Sequence, residues 1–257
     1  MLDQITPLIL TYNEAPNIGR TLDCLRLANE VVVVDSHSTD DTTTIAASFP
    51  NVRLVQRTFD THCNQWQFGL HETGITTDWV LALDADYIIT AELRNELQTL
   101  KPAAETPGYR ASFVYCISGK RLNSGIYPPV TVLYRRAAAN YIQDGHTQRI
   151  SLTSGRVETL QNPLLHDDRK PLSRWLESQA RYTKLEAQKL RAATPTELQT
   201  IDRLRRWPLI VPPLALFYCL VVRGGVLDGW RGLYYGFQRV TAELMLSFYM
   251  LRSYRGN

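Results

Sequence analysis

Trp79-Val80-Leu81-Ala82-Leu83-Asp84-Ala85-Asp86 is an apolar run that stops at two carboxylates one residue apart. The run reads as a buried strand. Side chains alternate along a strand, so Asp84 and Asp86 point the same way if the extended geometry persists through Ala85. Two neighbouring anions repel, burial raises the cost, and such a pair calls for a cation. Carboxylate oxygens are hard ligands suited to Mg²⁺ or Mn²⁺, and Mg²⁺ sites commonly combine one or two carboxylates with phosphate oxygens. A divalent ion bridging a diphosphate is the sharp reading. The plain one is a strand end followed by a capped helix, begun by Thr90-Ala91-Glu92-Leu93. The spacing alone is common, so its surroundings decide.

Upstream, strand and helix patterns alternate. Ile5–Thr11 is apolar and β-prone; Asn17–Ala28 carries Ile18, Leu22, Leu25 and Leu27 on roughly one helical face. Glu30–Asp35 holds four consecutive valines, a strand buried on both faces. Thr39–Phe49 reads as a second helix with Asp40 and Asp41 in its first turn, favourable to the helix dipole. Val52–Gln56 is a short strand, Asn64–Glu72 a helix and Trp79–Leu83 the next strand. This alternation predicts a mostly parallel sheet with helices on both faces, whose ligands bind beyond the carboxyl ends of the strands. Thr11-Tyr12-Asn13-Glu14, Asp35-Ser36-His37-Ser38 and Asp84-Ala85-Asp86 all fall there, so the topology predicts that they line one crevice. From Gly108 the pattern becomes strand-rich, with Tyr109–Cys116 and Thr131–Arg135 separated by turn-forming Asn123-Ser124-Gly125 and Pro128-Pro129. Asn140–Ile150 holds a polar cluster, and Leu172–Ala193 reads as a long helix.

The chain has 257 residues, 44% hydrophobic and 21% charged, enough for one main domain plus an appendage. Cys24, Cys63, Cys116 and Cys219 are scattered without a C-x-x-C, which favours a reducing compartment and argues against a cysteine zinc site. No secretory signal is expected, because the chain opens on a strand-like segment. Eight arginines against three acidic residues give residues 201–257 a charge of +5, which leaves −2 for the first 200 in a chain of net +3. That tail includes Trp207–Val222, almost wholly apolar but shorter than the ~20 residues a spanning helix needs and broken by Pro208, Pro212 and Pro213. Thr241–Leu251 is a second apolar stretch. Arginines and tryptophans flank both, as interfacial residues do, so the expectation is one-sided contact with an anionic membrane surface. Two helices packed on the catalytic domain is the alternative. No nucleic-acid motif accompanies the arginines. The expected division is 1–200 for the main domain and 201–257 for the basic, apolar helical tail.

Thr11-Tyr12-Asn13-Glu14, Val33-Val34-Asp35-Ser36-His37-Ser38-Thr39-Asp40-Asp41-Thr42 and Leu83-Asp84-Ala85-Asp86, in that order, resemble the family 2 inverting glycosyltransferases. That resemblance implies an α/β fold of the GT-A (Rossmann-like) type, here with a C-terminal amphipathic, membrane-associating appendage. Within the family the chain looks like the lipopolysaccharide-core branch, through His166-Asp167-Asp168-Arg169, Tyr182 to Ala187, and Gly224 to Gly232. The branch transfers sugars to lipid-linked saccharides at the cytoplasmic face of the membrane.

The resemblance assigns Thr11, Tyr12 and Glu14 to the loop that holds base and ribose, and Asp35 to the nucleoside. It makes Asp86 the direct ligand of Mg²⁺ or Mn²⁺ and sets Asp84 nearer the ribose or the metal. His166 either completes the metal shell or is a core or surface histidine. An inverting transfer needs a general base. Many members of the branch place a His-Glu pair for it where this chain reads Asp144-Gly145-His146-Thr147-Gln148, so Asp144 is the chosen base and His146 the alternate. Against that, Asp before Gly is a common turn feature. Three departures stand out: Asp35-Ser36 in place of two aspartates, Gln65-Trp66-Gln67 where a basic residue is usual, and Tyr87 where a glutamate often follows the D-x-D.

The implied activity is a metal-dependent transfer of a hexose from a nucleotide sugar, UDP-hexose first, to a lipid-linked saccharide or glycolipid. The implied location is cytoplasmic, peripheral on the inner face of the cell membrane. The alternatives are transfer to a polyprenyl phosphate, or a non-catalytic nucleotide-sugar-binding subunit.

Overall fold

The computed structural model describes residues 1–144, 147–153, 155–194, 196, 198 and 200–253. The chain divides into two compact units: residues 1–119 with 127–170, and residues 120–126 with 171–257.

The first unit is built on strands β1 (Ile5–Thr11), β2 (Val31–Asp35), β3 (Val52–Gln56) and β4 (Trp79–Asp84), with helices α1 (Ile18–Asp23), α2 (Thr42–Ala47) and α3 (His62–His71) between them. There follow β5 (Tyr87–Ile89), α4 (Ala91–Thr99), β6 (Gly108–Ala111) and β7 (Phe113–Ile117). Strand β8 (Lys120–Arg121) falls to the second unit; β9 (Val130–Arg135), β10 (Ala139–Asp144), β11 (Thr147–Leu152), β12 (Glu158–Thr159) and β13 (Leu164–His166) complete the first. The main sheet runs β12-β6-β9-β4-β1-β2-β3. Strands β4, β1, β2 and β3 are parallel, as the alternation predicts, and β9 is antiparallel to both β4 and β6.

Period-two alternation sets the core. Val31 and Val33 join Ile5, Ile9, Leu81 and Leu83 on one face, while Val32 and Val34 join Leu8, Val80 and Ala82 on the other. Helix α1 covers the first face through Ile18 and Leu22, and α3 covers the second through Trp66 and Leu70. All four valines of β2 are fully buried, so that strand has no polar face.

The register brings the three predicted loops together. Thr11 pairs with Asp35 and Leu10 with Asp84, so β1, β2 and β4 end at the same edge. Elsewhere the structure differs from the periodicity. The helices expected over 17–28 and 39–49 shorten to Ile18–Asp23 and Thr42–Ala47: at their starts Asn17, Asp40 and Asp41 belong to the loops that lead in, and past Asp23 the chain passes into turns over 24–27. The strand expected over 109–116 is two strands. Strand β6 stays in the main sheet, whereas β7 enters a small sheet with β13 (parallel) and β5 (antiparallel to β13). The described residues of the polar cluster from Asn140 lie on β10 and β11, which pair antiparallel.

In the second unit, α5 (Leu172–Ala192), α6 (Thr200–Arg205), α7 (Val211–Phe217) and α8 (Trp230–Ser253) carry the tail. Ala187, Leu190, Leu198, Leu246 and Met250 form its core, joining α5 to α8. A π-helical turn, Tyr218–Val222, continues α7 into Gly224, which takes a left-handed φ of 70°. A Cβ on Gly232 would collide with the carbonyl of Gly225, and one on Gly236 would lie 2.9 Å from Leu220 Cδ2. Gly232 therefore serves close backbone approach, Gly236 close packing of the Leu220 side chain, and Gly224 a left-handed turn. Asp228 accepts hydrogen bonds from the Asn123 and Ser124 amides (3.0 Å each) and from the Ser124 hydroxyl (2.7 Å). Among the described residues no helix is long and apolar enough to cross a membrane.

Candidate active site

The loop after β1 and the loop after β2 are stapled to each other. Asn13, with a φ of 55°, donates its amide to Ser38 Oγ (2.8 Å) and accepts from the Thr39 amide through Oδ1 (2.7 Å). The Glu14 amide donates to Thr42 Oγ1 (2.7 Å). Asp35 is fully buried, and its carboxylate accepts from the Ser38 amide (2.9 Å), the Ser38 hydroxyl (2.5 Å) and Gln56 Nε2 (3.2 Å). Its oxygens thus shape the crevice wall. Thr11 Oγ1 is buried with no hydrogen-bond partner, and Tyr12 is 47% exposed at the mouth. Gln65 is buried against this wall, donating to Ser36 Oγ (2.9 Å) and accepting from Arg57 (2.6 Å). A basic residue is therefore present, contributed by the segment after β3 rather than by α3.

At the end of β4, Asp84 is exposed and Asp86 is buried. Asp86 Oδ2 lies 3.3 Å from His166 Nε2, while Asp86 Oδ1 has no hydrogen-bond partner among the described residues. Burial is the main reason the Asp86 carboxyl is pushed up to about 7; Lys170 opposes the rise, and the charges of Asp84 and Asp168 add to it. His166 reaches the site because β13 is inserted between β5 and β7, which sets it opposite Tyr87 and Tyr115. Burial pulls its imidazole below the usual value, and its Nδ1 is unpartnered. Tyr87 hydrogen-bonds the Asp84 carboxylate, and burial together with that acidic neighbour holds its phenol well above the usual value. Its ring packs edge-on against His166 (5.6 Å) and Phe113 (4.9 Å). That is the structural account of the tyrosine after the D-x-D.

The segment after β13 adds residues that no local spacing singles out. Lys170 Nζ lies 2.5 Å from Glu14 Oε1 and 3.6 Å from Asp168 Oδ2. Asn17 donates to Glu14 Oε2 (2.8 Å) and Asp168 Oδ1 (2.9 Å), and its Oδ1 accepts from the Arg169 amide (2.8 Å). Burial pushes the Glu14 carboxyl up to about 7 against the pull of Lys170, and Asp86 adds to the rise. Burial alone would lower Lys170, yet the charges of Glu14, Asp86 and Asp168 carry it above its ordinary value. Asp167 takes the neighbouring guanidiniums: Arg20 at 2.8 Å and Arg169 at 2.8 Å. The one signal in the sequence was the polar run Asp167-Asp168-Arg169-Lys170 that follows β13, which does not say which charges it meets.

The structure thus gathers Thr11, Tyr12, Glu14, Asp35, Asp84, Asp86 and His166 around one strand edge. Asp144 ends β10 opposite Thr147; its side chain, and His146 altogether, lie outside the described residues. Among the described residues no three His, Cys, Asp or Glu side chains converge on one metal position. The donor set nevertheless fits a hard dication held in part by its substrate. Asp86 Oδ1 is a buried acceptor with nothing to accept, and Mg²⁺ sites commonly take one or two carboxylates plus phosphate oxygens.

Known proteins resemble the chain at three levels. A family model described as glycosyl transferase family 2 matches residues 8–142. An uncharacterized glycosyltransferase of Rickettsia felis is 34% identical over 98 residues, covering 38% of this chain and 34% of that protein, so the chain spans about a third of that relative. The lipopolysaccharide core biosynthesis glycosyltransferase LpsC of Rhizobium meliloti is 25% identical over 240 residues, covering 88% of this chain and 83% of LpsC. Among solved structures, S. aureus TarS 1–349 in complex with UDP-GlcNAc superposes with a TM-score of 0.52 at 16% identity, over 98% of this chain and 91% of that one. That likeness is one of fold, the GT-A type.

Proposed function

The chain belongs to glycosyl transferase family 2, and from that membership we propose that it is a metal-dependent inverting glycosyltransferase. It moves a hexose from a nucleoside-diphosphate sugar to a membrane-borne glycan or glycolipid of the lipopolysaccharide-core kind. One observation carries the reading: three loops meet at the carboxyl edge of β4-β1-β2 around a buried carboxylate whose Oδ1 has no partner. The resemblance to LpsC over most of both chains supports the acceptor class. UDP-hexose is the first donor to test.

In this reading Asp86 and Asp84, with His166 beside them, would hold Mg²⁺ or Mn²⁺, which when bound would supply positive charge to offset that developing on the departing diphosphate. The exposed Tyr12 ring and the Asp84 carboxylate meet base and ribose, and Asp35 keeps its loop in shape for them. The acceptor hydroxyl attacks the anomeric carbon from the face opposite the diphosphate, passing its proton to Asp144 as the new C–O bond forms and the old one breaks. A panel of UDP-, GDP- and ADP-sugars tests this. Wild type should hydrolyse or transfer from at least one in Mn²⁺ or Mg²⁺ and from none in chelator. Asp144→Asn should slow transfer by about 10²–10⁴-fold, the usual worth of a general base, with donor affinity unchanged. Unchanged turnover removes Asp144 from the mechanism, and binding without turnover by the wild type makes the protein a binding subunit.

The second unit supports a peripheral location on the inner membrane face. Trp207, Leu209, Phe217, Leu227 and Phe248 are between 56% and 86% exposed, an extent of apolar surface that marks an interaction site. The arginines contribute less than their number suggests, since Arg205 is bound to Glu243, Arg206 to the Leu190 and Ala193 carbonyls, and Arg223 to the Gly125 carbonyl. The apolar residues therefore carry most of the expected attraction. The protein should cosediment with vesicles containing anionic lipid and lose only part of that binding in high salt. Recovery in the supernatant with every vesicle composition ends the membrane assignment.

A further inference from the structure

Lys170 is the group that the proposed chemistry has not used. Its ammonium is mostly buried, with its side chain 19% exposed, and it stands in a cluster of carboxylates. Glu14 binds it at 2.5 Å, Asp168 flanks it at 3.6 Å, and the charges of Asp86 and Asp84 belong to the same cluster. The two nearby guanidiniums do not share this duty, because Arg20 and Arg169 both turn to Asp167.

An ammonium has three N–H donors. One is taken by Glu14; Asp168, at 3.6 Å, is an ion pair beyond hydrogen-bond distance. The protein therefore leaves donor capacity unused on a largely desolvated cation, which is costly unless something else accepts it. In the same cluster Asp86 Oδ1 is a buried acceptor without a donor. Lys170 and Asp86 feel each other's charge, yet no hydrogen bond joins them. An unused donor and an unused acceptor that do not satisfy one another fit a ligand carrying both complements. A metal-bound diphosphate is such a ligand, its cation for the carboxylate and its oxygens for the ammonium. Formal charge agrees: Glu14, Asp84, Asp86 and Asp168 against Lys170 leave −3, and a dication still leaves −1. Without Lys170 an anionic diphosphate would approach a site of −2.

We infer that Lys170 is a ligand of the donor's diphosphate, its ammonium held in place by Glu14 and Asp168 and donating to a phosphate oxygen beside Asp86. This rests on the reading of the crevice as a nucleotide-sugar site. The reasoning also gives Glu14 a task other than gripping the ribose, since its carboxylate positions the lysine.

Calorimetry on the full-length protein tests it, using UDP, GDP and ADP and the matching nucleosides, each with Mn²⁺ or Mg²⁺. For the nucleotide that binds, Lys170→Met should weaken the diphosphate about 10- to 100-fold, as loss of a charged hydrogen bond does, and leave the nucleoside within about twofold. Lys170→Arg should restore most of the loss. A purely structural lysine would weaken nucleoside and diphosphate alike, and that outcome overturns the inference, as does a diphosphate affinity unchanged in Lys170→Met. If the methionine variant lacks a cooperative unfolding transition, Lys170→Gln is read by the same two criteria. A wild type that binds none of the three diphosphates with either metal overturns the nucleotide-sugar reading itself, and the role of Lys170 with it.

Discussion

Asp86→Asn is expected to abolish metal-dependent transfer while making the metal-free protein more stable. Both effects come from one carboxylate that is buried, flanked by Asp84 and Asp168, and without a partner at Oδ1. With Asp86 as the direct ligand of a Lewis-acid ion, as proposed, its removal forfeits several kcal/mol of transition-state stabilisation, or about 10³-fold or more in rate. For stability the sign is fixed by the direction of the shift. A carboxyl whose native value rises from 3.8 to about 7 keeps its proton in the folded state where the unfolded chain has released it. The folded state binds more protons in that window, so stability falls as pH rises from about 4 to about 7 and stays low above it. The full displacement corresponds to an upper bound of roughly 4 kcal/mol, and an asparagine that must still satisfy its amide should recover about 1–2 kcal/mol of it at pH 8. Thermal unfolding in chelator between pH 5 and pH 8 checks this. Wild type should lose Tm with rising pH more steeply than Asp86→Asn; the slope remaining in the variant belongs to Glu14, which is also pushed up to about 7. A lower Tm for the variant at pH 8, or retained activity, contradicts the assignment. Stability lost at a site that gains from its ligand is a common trade.

Arg205→Met should destabilise the second unit by about 3 kcal/mol or more, the usual cost of leaving buried charges without their partner. Arg205, on α6, holds Glu243 of α8 with two nitrogens at 3.1 and 2.6 Å. Its third nitrogen lies 3.9 Å from Glu186 of α5 and 3.7 Å from Asp202. Burial alone would lower the guanidinium, yet these carboxylates hold it above its usual value. Lys189, 3.8 Å from Glu186 and 3.5 Å from Asp202, would compensate only those two, so Glu243 bears most of the loss. Calorimetric unfolding should show a new low-temperature transition for the variant. A Tm within about 1 °C of wild type would mean that the apolar core of Ala187, Leu190, Leu246 and Met250 suffices without the ion network.

The same contrast between apolar pattern and charge partner separates what was legible in the sequence from what was not. The valine run of β2 and the apolar run of β4 announce strands buried on both faces, and a parallel alternation leaves their polar ends at one edge. Thr11, Asp35 and Asp84 were placed correctly together by that logic alone, and the register of Thr11 with Asp35 and Leu10 with Asp84 bears it out. The Tyr109–Cys116 segment shows the limit. Its residues are uniformly β-prone, and nothing local says that β6 stays in the main sheet while β7 leaves to receive β13.

The sequence by itself determined the strand and helix alternation, the sheet edge where chemistry gathers, and the two carboxylates that close β4. Periodicity and burial of apolar residues act over a few residues, so they can be read in order along the chain. Only the tertiary structure decided which charges meet. Asn17 finds Asp168, Glu14 finds Lys170, and His166 finds Asp86, across 151, 156 and 80 positions of sequence. The insertion of β13 between β5 and β7 brings its following residues to the β1 loop, and no local spacing encodes that return. An ionisable side chain takes whatever partner the packing of distant segments leaves within a few ångströms, and that is why the acidic ends of the strands were visible in the sequence and the lysine that answers them was not.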